Sequence, residues 1–457
     1  MIKKNDVIRL EISAVTNEGF GVGRYSDAEL QNFVVYVPYT AEGDVIDCLI
    51  LKKLTSYAFG KISEVVTPSP HRTADAECSA FGKCGGCAYR HLSYEAELLY
   101  KKQAVEYAYR TAFSKALPMP KIFDTEPSPD VLHYRNKVEY PVKDGKCAFY
   151  APKSHRFVAV DNCPLQHKAF EQVVKAFEEY VKESGATCYD EESAKGLIRH
   201  LFLRTNSDGT QICACVVASS DKLPKPELLV KKLSSTGAVT SIYLNVNPEK
   251  TNVILGKKFT LLFGEKYITD ELCGIKMQIS PQSFYQVNRA QAQRLYGYAL
   301  SLADCTENLL DLYCGIGGIA LAAAKRAKRV VGVEIVPEAI ADAKRIAKAN
   351  GITNAEFYTS DANRLSEVLK AADFTPDTVV VDPPRKGLDE ATVNALCALM
   401  PEKIVYISCN PATQARNVRD IVEKANGAYT ISAVAPFDMF PRTAHVETVV
   451  LMSRVKE

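Results

Sequence analysis

LLDLYCGIGGIALAAA, residues 309–324, reads as an apolar strand, a glycine turn and a helix of small residues. Gly315, Gly317 and Gly318 let the chain turn tightly and let a ligand approach the backbone. The alternation continues downstream. RVVGVEI (329–335) places Glu334 at a strand end, AEFYTSD (355–361) places Asp361, TVVVDPP (378–384) places Asp382, and KIVYISC (403–409) ends on Cys409. Helices are predicted over 318–328, 337–350, 364–372, 389–399 and 412–425. This α/β pattern builds a doubly wound, mostly parallel sheet, whose ligands gather at the carboxyl ends of its strands. An acidic residue at Glu334's position binds ribose hydroxyls in such sheets. A dinucleotide turn reads G-x-G-x-x-G; here the turn reads C-G-I-G-G, and the glycines alone leave NAD open. Only MFPRTA (439–444) separates AYTISAVAPF (428–437) from HVETVVLMS (445–453), so the last strand should be antiparallel to its neighbour.

Upstream, the pattern changes twice. Alternation in VIRLEIS (7–13), FVVYVPY (33–39) and DVIDCLILKK (44–53), with turn signals at Asn17-Glu18-Gly19 and Glu42-Gly43-Asp44, predicts a small five-stranded barrel of the OB type. TPSPHR (67–72) breaks the chain. SYEAELLYKKQAVEYAYRTAF (93–113) predicts a helix over about 92–115, with Leu98, Leu99, Val105 and Tyr109 as its apolar positions, packing on the C-terminal part. A β-rich segment follows, with strands expected at KVEYPV, CAFYAP, HLFLRTN, QICACVVA and SIYLNV. We expect three domains: a barrel at 1–65, a central α+β domain at 66–285, and a Rossmann-like domain at 286–457.

The 457 residues are 47% hydrophobic and 24% charged, as in ordinary globular proteins. No apolar run reaches the ~18 residues of a membrane span. MIKKNDVIRLEIS has no apolar signal core, so a cytoplasmic protein without membrane attachment is expected, as a monomer. A net charge of +2 neither demands nor excludes nucleic acid. Fourteen cysteines in a reducing compartment point to ligands, nucleophiles or core residues rather than disulfides. Cys213 and Cys215 share one face of a strand and read as core, and Cys314 as a packing residue. Cys48, Cys188, Cys273, Cys305 and Cys397 lack a partner at ligand spacing. Cys78, Cys84 and Cys87 stand at C-x5-C-x2-C in CSAFGKCGGC, and Cys163 follows in DNCPLQH. Four thiolates suit zinc or an iron–sulfur cluster, and the spacing leaves both open.

SFYQVN, DLYCGIGG, VVVDPPR, ISCNPAT and AHVET occur in that order over roughly residues 280–457, which resemble the uracil-5 RNA methyltransferases. The glycine turn with Asp311 resembles the first motif of Rossmann-like methyltransferases. NEGFGVGR, VVYVPYTAEGDVI and FGKISEV resemble the TRAM module of RNA-modifying enzymes. Nearly the whole chain is thus similar to the TRAM-containing, iron–sulfur branch that modifies 23S rRNA. The resemblance implies S-adenosylmethionine as methyl donor, with Gln286, Tyr313, Glu334 and Asp382 lining its site and Asp361 near the adenine. It implies Cys409 as nucleophile and Glu447 as base. It also implies a [4Fe–4S] cluster on Cys78, Cys84, Cys87 and Cys163, structural because the fourth cysteine closes the coordination shell. The tRNA-specific branch lacks both TRAM module and cluster, so 23S rRNA is the expected partner. A tRNA substrate, a non-catalytic RNA-binding protein and an amine-methylating enzyme are the alternatives; against the last, Arg385 stands where DPP[YF] has an aromatic ring.

The implied chemistry explains the residue types. Carbon 5 of uracil is a poor nucleophile until a thiolate adds to carbon 6, which splits one hard step into easier ones. That needs a thiolate, a base and a group steadying the ring. Asp382 could accept the uracil N3–H. His445 reads as structural. His133, Tyr134, Arg135 and Lys137 form the preferred RNA patch, and the target uridine must be flipped from its stack.

Overall fold

The computed structural model describes residues 2–73, 78–113, 117–160, 162–304 and 306–455. Cys305 and the expected helix end at 114–115 lie outside them. Five strands, β1 (Val7–Val15), β2 (Phe20–Tyr25), β3 (Phe33–Pro38), β4 (Val45–Lys53) and β5 (Tyr57–Thr67), close a barrel in the order β1-β2-β3-β5-β4. Alternate residues such as Leu10, Val35, Ile46 and Ile50 fill its core, as the period of two requires.

Helix α1 (Tyr94–Ala112) starts at Ser93, whose side chain accepts the Ala96 N–H, a standard N-cap. Val105 and Tyr109 are buried as expected, but Leu99 is 40% exposed, and Glu97 and Lys101 complete the buried face at i, i+4 spacing. These two charges mislead an apolar reading, because besides each other their partners lie more than 300 residues away. Strand β6 (Lys121–Ile122) then adds to the edge of the C-terminal sheet.

The central region holds a seven-stranded sheet of β7 (Lys137–Lys143), β8 (Lys146–Tyr150), β9 (Phe157–Ala159), β10 (Ile198–Thr205), β11 (Ile212–Ala218), β12 (Val239–Val246) and β13 (Lys258–Gly264), with α2 (Phe170–Ser184) and α3 (Pro226–Ser234). The sequence reading missed β9, β13 and both helices. Cys213 and Cys215 are buried as expected. The hairpin β14 (Ile268–Leu272) and β15 (Ile275–Ile279) leads to α4 (Arg289–Ala303).

The C-terminal elements are β16 (Asn308–Leu312), α5 (Gly318–Ala323), β17 (Arg329–Glu334), α6 (Pro337–Ala349), β18 (Ala355–Thr359), α7 (Leu365–Ala371), β19 (Thr378–Val381), α8 (Glu390–Leu399), β20 (Lys403–Ser408), α9 (Pro411–Lys424), β21 (Tyr429–Phe437) and β22 (Glu447–Arg454). With β6 they form an eight-stranded sheet in the order β18-β17-β16-β19-β20-β22-β21-β6. Strands β16 to β20 are parallel, and β22 runs antiparallel between β20 and β21, as its helix-free link predicts. β16 and β17 are all but fully buried, as expected of a sheet covered on both faces.

Candidate active site

The site grows from the carboxyl ends of β16, β17, β19 and β20. At the first, Tyr313 (φ 65°), Gly315 (φ 53°) and Gly317 (φ 82°) all take left-handed conformations. For a tyrosine that costs energy and is kept only where surrounding structure enforces it; here Tyr313 N donates to Val333 O at 2.9 Å. A Cβ on Gly315 would meet nothing within 4 Å, so the turn opens onto free space. Asp311 is buried beneath it. One of its oxygens accepts the Ala320 N–H at 2.9 Å, and the other has no partner. Glu334 is held by the N–H groups of Gly315 (3.2 Å) and Val336 (3.0 Å).

These residues line a cavity of about 1120 Å³ that also takes in Gln286, Asp361, Asp382, Cys409 and Glu447. All expected donor-site residues are therefore together. A glycine turn open to the cavity, an acidic strand end and an unpartnered buried carboxylate oxygen fit the polar, cationic donor. The sequence reading missed Tyr296 of α4. Its ring packs on Gly318 and its hydroxyl interacts with Gln286 in the field of Asp382. No sequence signal marks it, since only packing brings α4 over the turn.

Strand register places the reacting pair. Ser408 of β20 pairs with Thr448 of β22, so Cys409 and Glu447 occupy the next facing positions. Gln414 staples this end: its amide donates to Tyr406 O (2.9 Å) and Thr448 O (3.2 Å), and its oxygen accepts from Tyr109 of α1. Asn410 caps α9, and Pro411 starts it, so the chain turns sharply just after Cys409. Asn410 Nδ2 and Thr413 Oγ1 both donate to Arg385 O, tying the DPPR turn to the cysteine turn.

Electrostatics couple the facing pair. Burial, then the Glu447 carboxylate, pushes the Cys409 thiol up to about 11, while Arg385 pulls the other way. Burial and then Asp382 raise the Glu447 carboxyl well above its ordinary range, against Arg385. Burial raises Asp382 as well. Both carboxyls are thus raised together, as like charges in a low-dielectric site are.

A second cavity, about 1600 Å³, lies between the barrel, the central sheet and the C-terminal domain. Lys61, Arg135, Lys137, Lys153 and Arg156 line it, with aromatic Phe20 and Phe59 from the barrel. It meets the first cavity at Arg385, Cys409, Phe440 and His445. His445 thus faces both cavities rather than the core. Of the expected RNA patch, Arg135 and Lys137 face this space. Tyr134 does not: it is buried and its hydroxyl donates to Pro441 O at 3.0 Å. His133 is engaged with Gln166 O.

Cys78, Cys84, Cys87 and Cys163 line the same second cavity as free thiols. Burial, then Cys163, pushes the Cys87 thiol up to about 12, with Cys78 and Cys84 adding to the effect. The donor set suits a thiophilic metal. Among the described residues, however, no group of three or more His, Cys, Asp or Glu converges tightly enough to hold an ion.

No helix among the described residues is long and apolar enough to cross a membrane. The profile of the tRNA (uracil-5-)-methyltransferase family matches residues 93–455, and that of the TRAM domain residues 3–63. An RNA methyltransferase of Halalkalibacterium halodurans is 39% identical over 99% of this chain and 98% of its own length. One of Bacillus cereus is 38% identical over 100% and 98%. The solved structure of the Pyrococcus abyssi tRNA (uracil-54, C5)-methyltransferase in complex with S-adenosyl-L-homocysteine superposes with a TM-score of 0.78 at 27% identity, covering 97% of this chain and 99% of that one. The chain therefore belongs to the tRNA (uracil-5-)-methyltransferase family and is an S-adenosylmethionine-dependent RNA uracil-5 methyltransferase with an N-terminal TRAM barrel.

Proposed function

We propose that the enzyme methylates carbon 5 of a uridine in 23S rRNA through a covalent Cys409–C6 adduct. The observation that carries this reading is Cys409 at the meeting point of a donor-sized cavity and a basic, aromatic one, with Glu447 facing it from the donor side. Cys409 adds to carbon 6 as the thiolate, its proton having passed to solvent, with Arg385 as the adjacent cation; the electron pair of the 5,6 double bond moves out as the enolate at O4, with density on carbon 5. Asp382 orients the ring at N3. Carbon 5 takes the methyl group that S-adenosylmethionine supplies when bound at Gln286, Tyr313, Glu334 and Asp382. Glu447 accepts the carbon 5 proton, and the sulfur–carbon 6 bond breaks as the double bond re-forms. The larger cavity, with its lysines, arginines and barrel aromatics, suits phosphates and unstacked bases.

A tRNA substrate is the second reading. The archaeal tRNA enzyme matches the full length of this chain, so domain composition does not separate the two substrates. Mapping 5-methyluridine in both rRNA and tRNA of a deletion strain tests the choice. Complementation by wild-type protein but not by Cys409→Ala should restore the modification. Loss confined to tRNA would overturn the 23S assignment, and full activity of Cys409→Ala would overturn the mechanism.

The four-cysteine set belongs to this reading as the site of a structural [4Fe–4S] cluster, supported by its donor chemistry and by the resemblance. A brown, iron-containing protein after anaerobic purification is the expected result. A colourless protein containing zinc and no iron would refute it.

A further inference from the structure

Residues 438–446 link β21 to β22 and end one position before Glu447. Several other parts of the chain grip this link, among them α1, the stretch after Cys87 and the barrel. From α1, Lys101 Nζ donates to Asp438 (2.5 Å), Phe440 O (3.2 Å) and Glu97 (2.7 Å). Glu97 in turn accepts from Arg442 N at 2.6 Å and from its guanidinium at 3.4 Å. From the stretch just after Cys87, Ala88 N and Tyr89 N donate to Arg442 O at 2.9 and 3.1 Å, and Leu92 O accepts from the Arg442 guanidinium at 3.1 Å. From the barrel, Gly19 makes room: a Cβ there would lie 3.1 Å from the Ala88 Cβ and 3.5 Å from the Ala444 Cβ. Barrel, cysteine-bearing segment and methyltransferase domain therefore meet around residues 442–444.

The side chains of Glu97, Lys101 and Asp438 are fully buried, and that of Arg442 is 16% exposed. Two cations face two anions, so each charge is compensated, which buried charges require. Arg442 also takes φ 68°. A left-handed arginine is strained and persists only where its surroundings over-determine it. A network serving stability alone has no need to place this strain five residues before the base. The same link lines the cavity through Phe440, Thr443 and His445.

We propose that Arg442 is a positioning residue: by tying the 438–446 link to Glu97 and to the segment after Cys87, it sets Glu447 against carbon 5, so that loosening it slows proton removal more than thiol addition. This rests on the assignment of Glu447 as base. The test uses full-length Arg442→Gly, which tolerates the positive φ and keeps the main-chain bonds, beside Arg442→Lys and Glu447→Gln. With RNA carrying 5-tritiated uridine, denaturing gels read the covalent adduct, and tritium release reads proton removal. For Arg442→Gly, adduct formation should stay within about twofold while tritium release falls about tenfold or more, since ångström-scale misplacement has effects of this size. Arg442→Lys, which keeps a cation and suits the case where the glycine variant unfolds, should show the same pattern more weakly. Equal losses in both readouts, or none in either, overturn the proposal. If Glu447→Gln releases tritium normally, the base assignment fails instead; if it traps the adduct while the Arg442 variants behave as wild type, positioning alone fails.

Discussion

Two thiol-bearing regions of this molecule contrast. Cys409 stands at the end of a strand ladder whose register, Ser408 with Thr448, puts it opposite Glu447 before any ligand arrives. Cys78, Cys84, Cys87 and Cys163 sit on loops that bring them to one cavity but do not close around an ion. A ladder fixes side chains by its own hydrogen bonds. A loop set needs its ligand to complete the geometry, because binding and ordering are coupled. Reaction geometry is therefore built into the sheet, whereas the cysteine quartet is held by loops around one cavity.

The comparison breaks most sharply at Cys409. Cys409→Ala should abolish the adduct and lower methylation on the order of a thousandfold or more, because no other group supplies the nucleophile. Cys409→Ser should do nearly as much, since a hydroxyl is the weaker nucleophile at neutral pH. Glu447→Gln should lower turnover roughly 10²–10⁴-fold, the usual weight of a general base, while methylated RNA accumulates on the protein. Normal turnover would remove Glu447 from the mechanism.

The pH profile sharpens the same side. The carboxyl of Glu447 is raised by burial and Asp382, and the thiol by burial and Glu447. Both must lose protons to act, so single-turnover rates should climb through neutrality. A base with the ordinary glutamate value of about 4.3 would already have levelled off. A flat profile from pH 5.5 to 8.5 contradicts the electrostatics described above.

On the loop side, Cys84→Ser or Cys87→Ser should empty the site of metal, measured by elemental analysis, and destabilise the protein by about 2–4 kcal/mol in denaturant titration. Turnover per folded molecule should fall far less than in the Cys409 variants. If it falls equally, the division between ladder and loop is wrong. The smallest effect is expected from Gln414→Leu. It keeps the volume but strips partners from Tyr109, Tyr406 and Thr448. It should cost about 1–3 kcal/mol in thermal unfolding, the price of buried polar groups left unpaired.

Legibility in the sequence followed the same division. Glu334, Asp361, Asp382 and Cys409 could be placed because each closes an apolar run, and Glu447 because it opens one; a strand end is a local property. The antiparallel last strand followed from the length of its link. Glu97 and Lys101 were passed over in favour of Leu99, because their burial depends on Asp438 and Arg442, far along the chain. Tyr296 was invisible for the same reason. Tyr134 looked like an RNA ligand on composition, yet its hydroxyl is committed to Pro441. Substrate choice was not legible from domain composition, because the archaeal tRNA enzyme covers 97% of this chain.

The two cavities touch at four side chains, Arg385, Cys409, Phe440 and His445. A polymer filling the larger chamber would therefore leave most walls of the smaller one untouched, and the reacting sulfur is a window between two rooms.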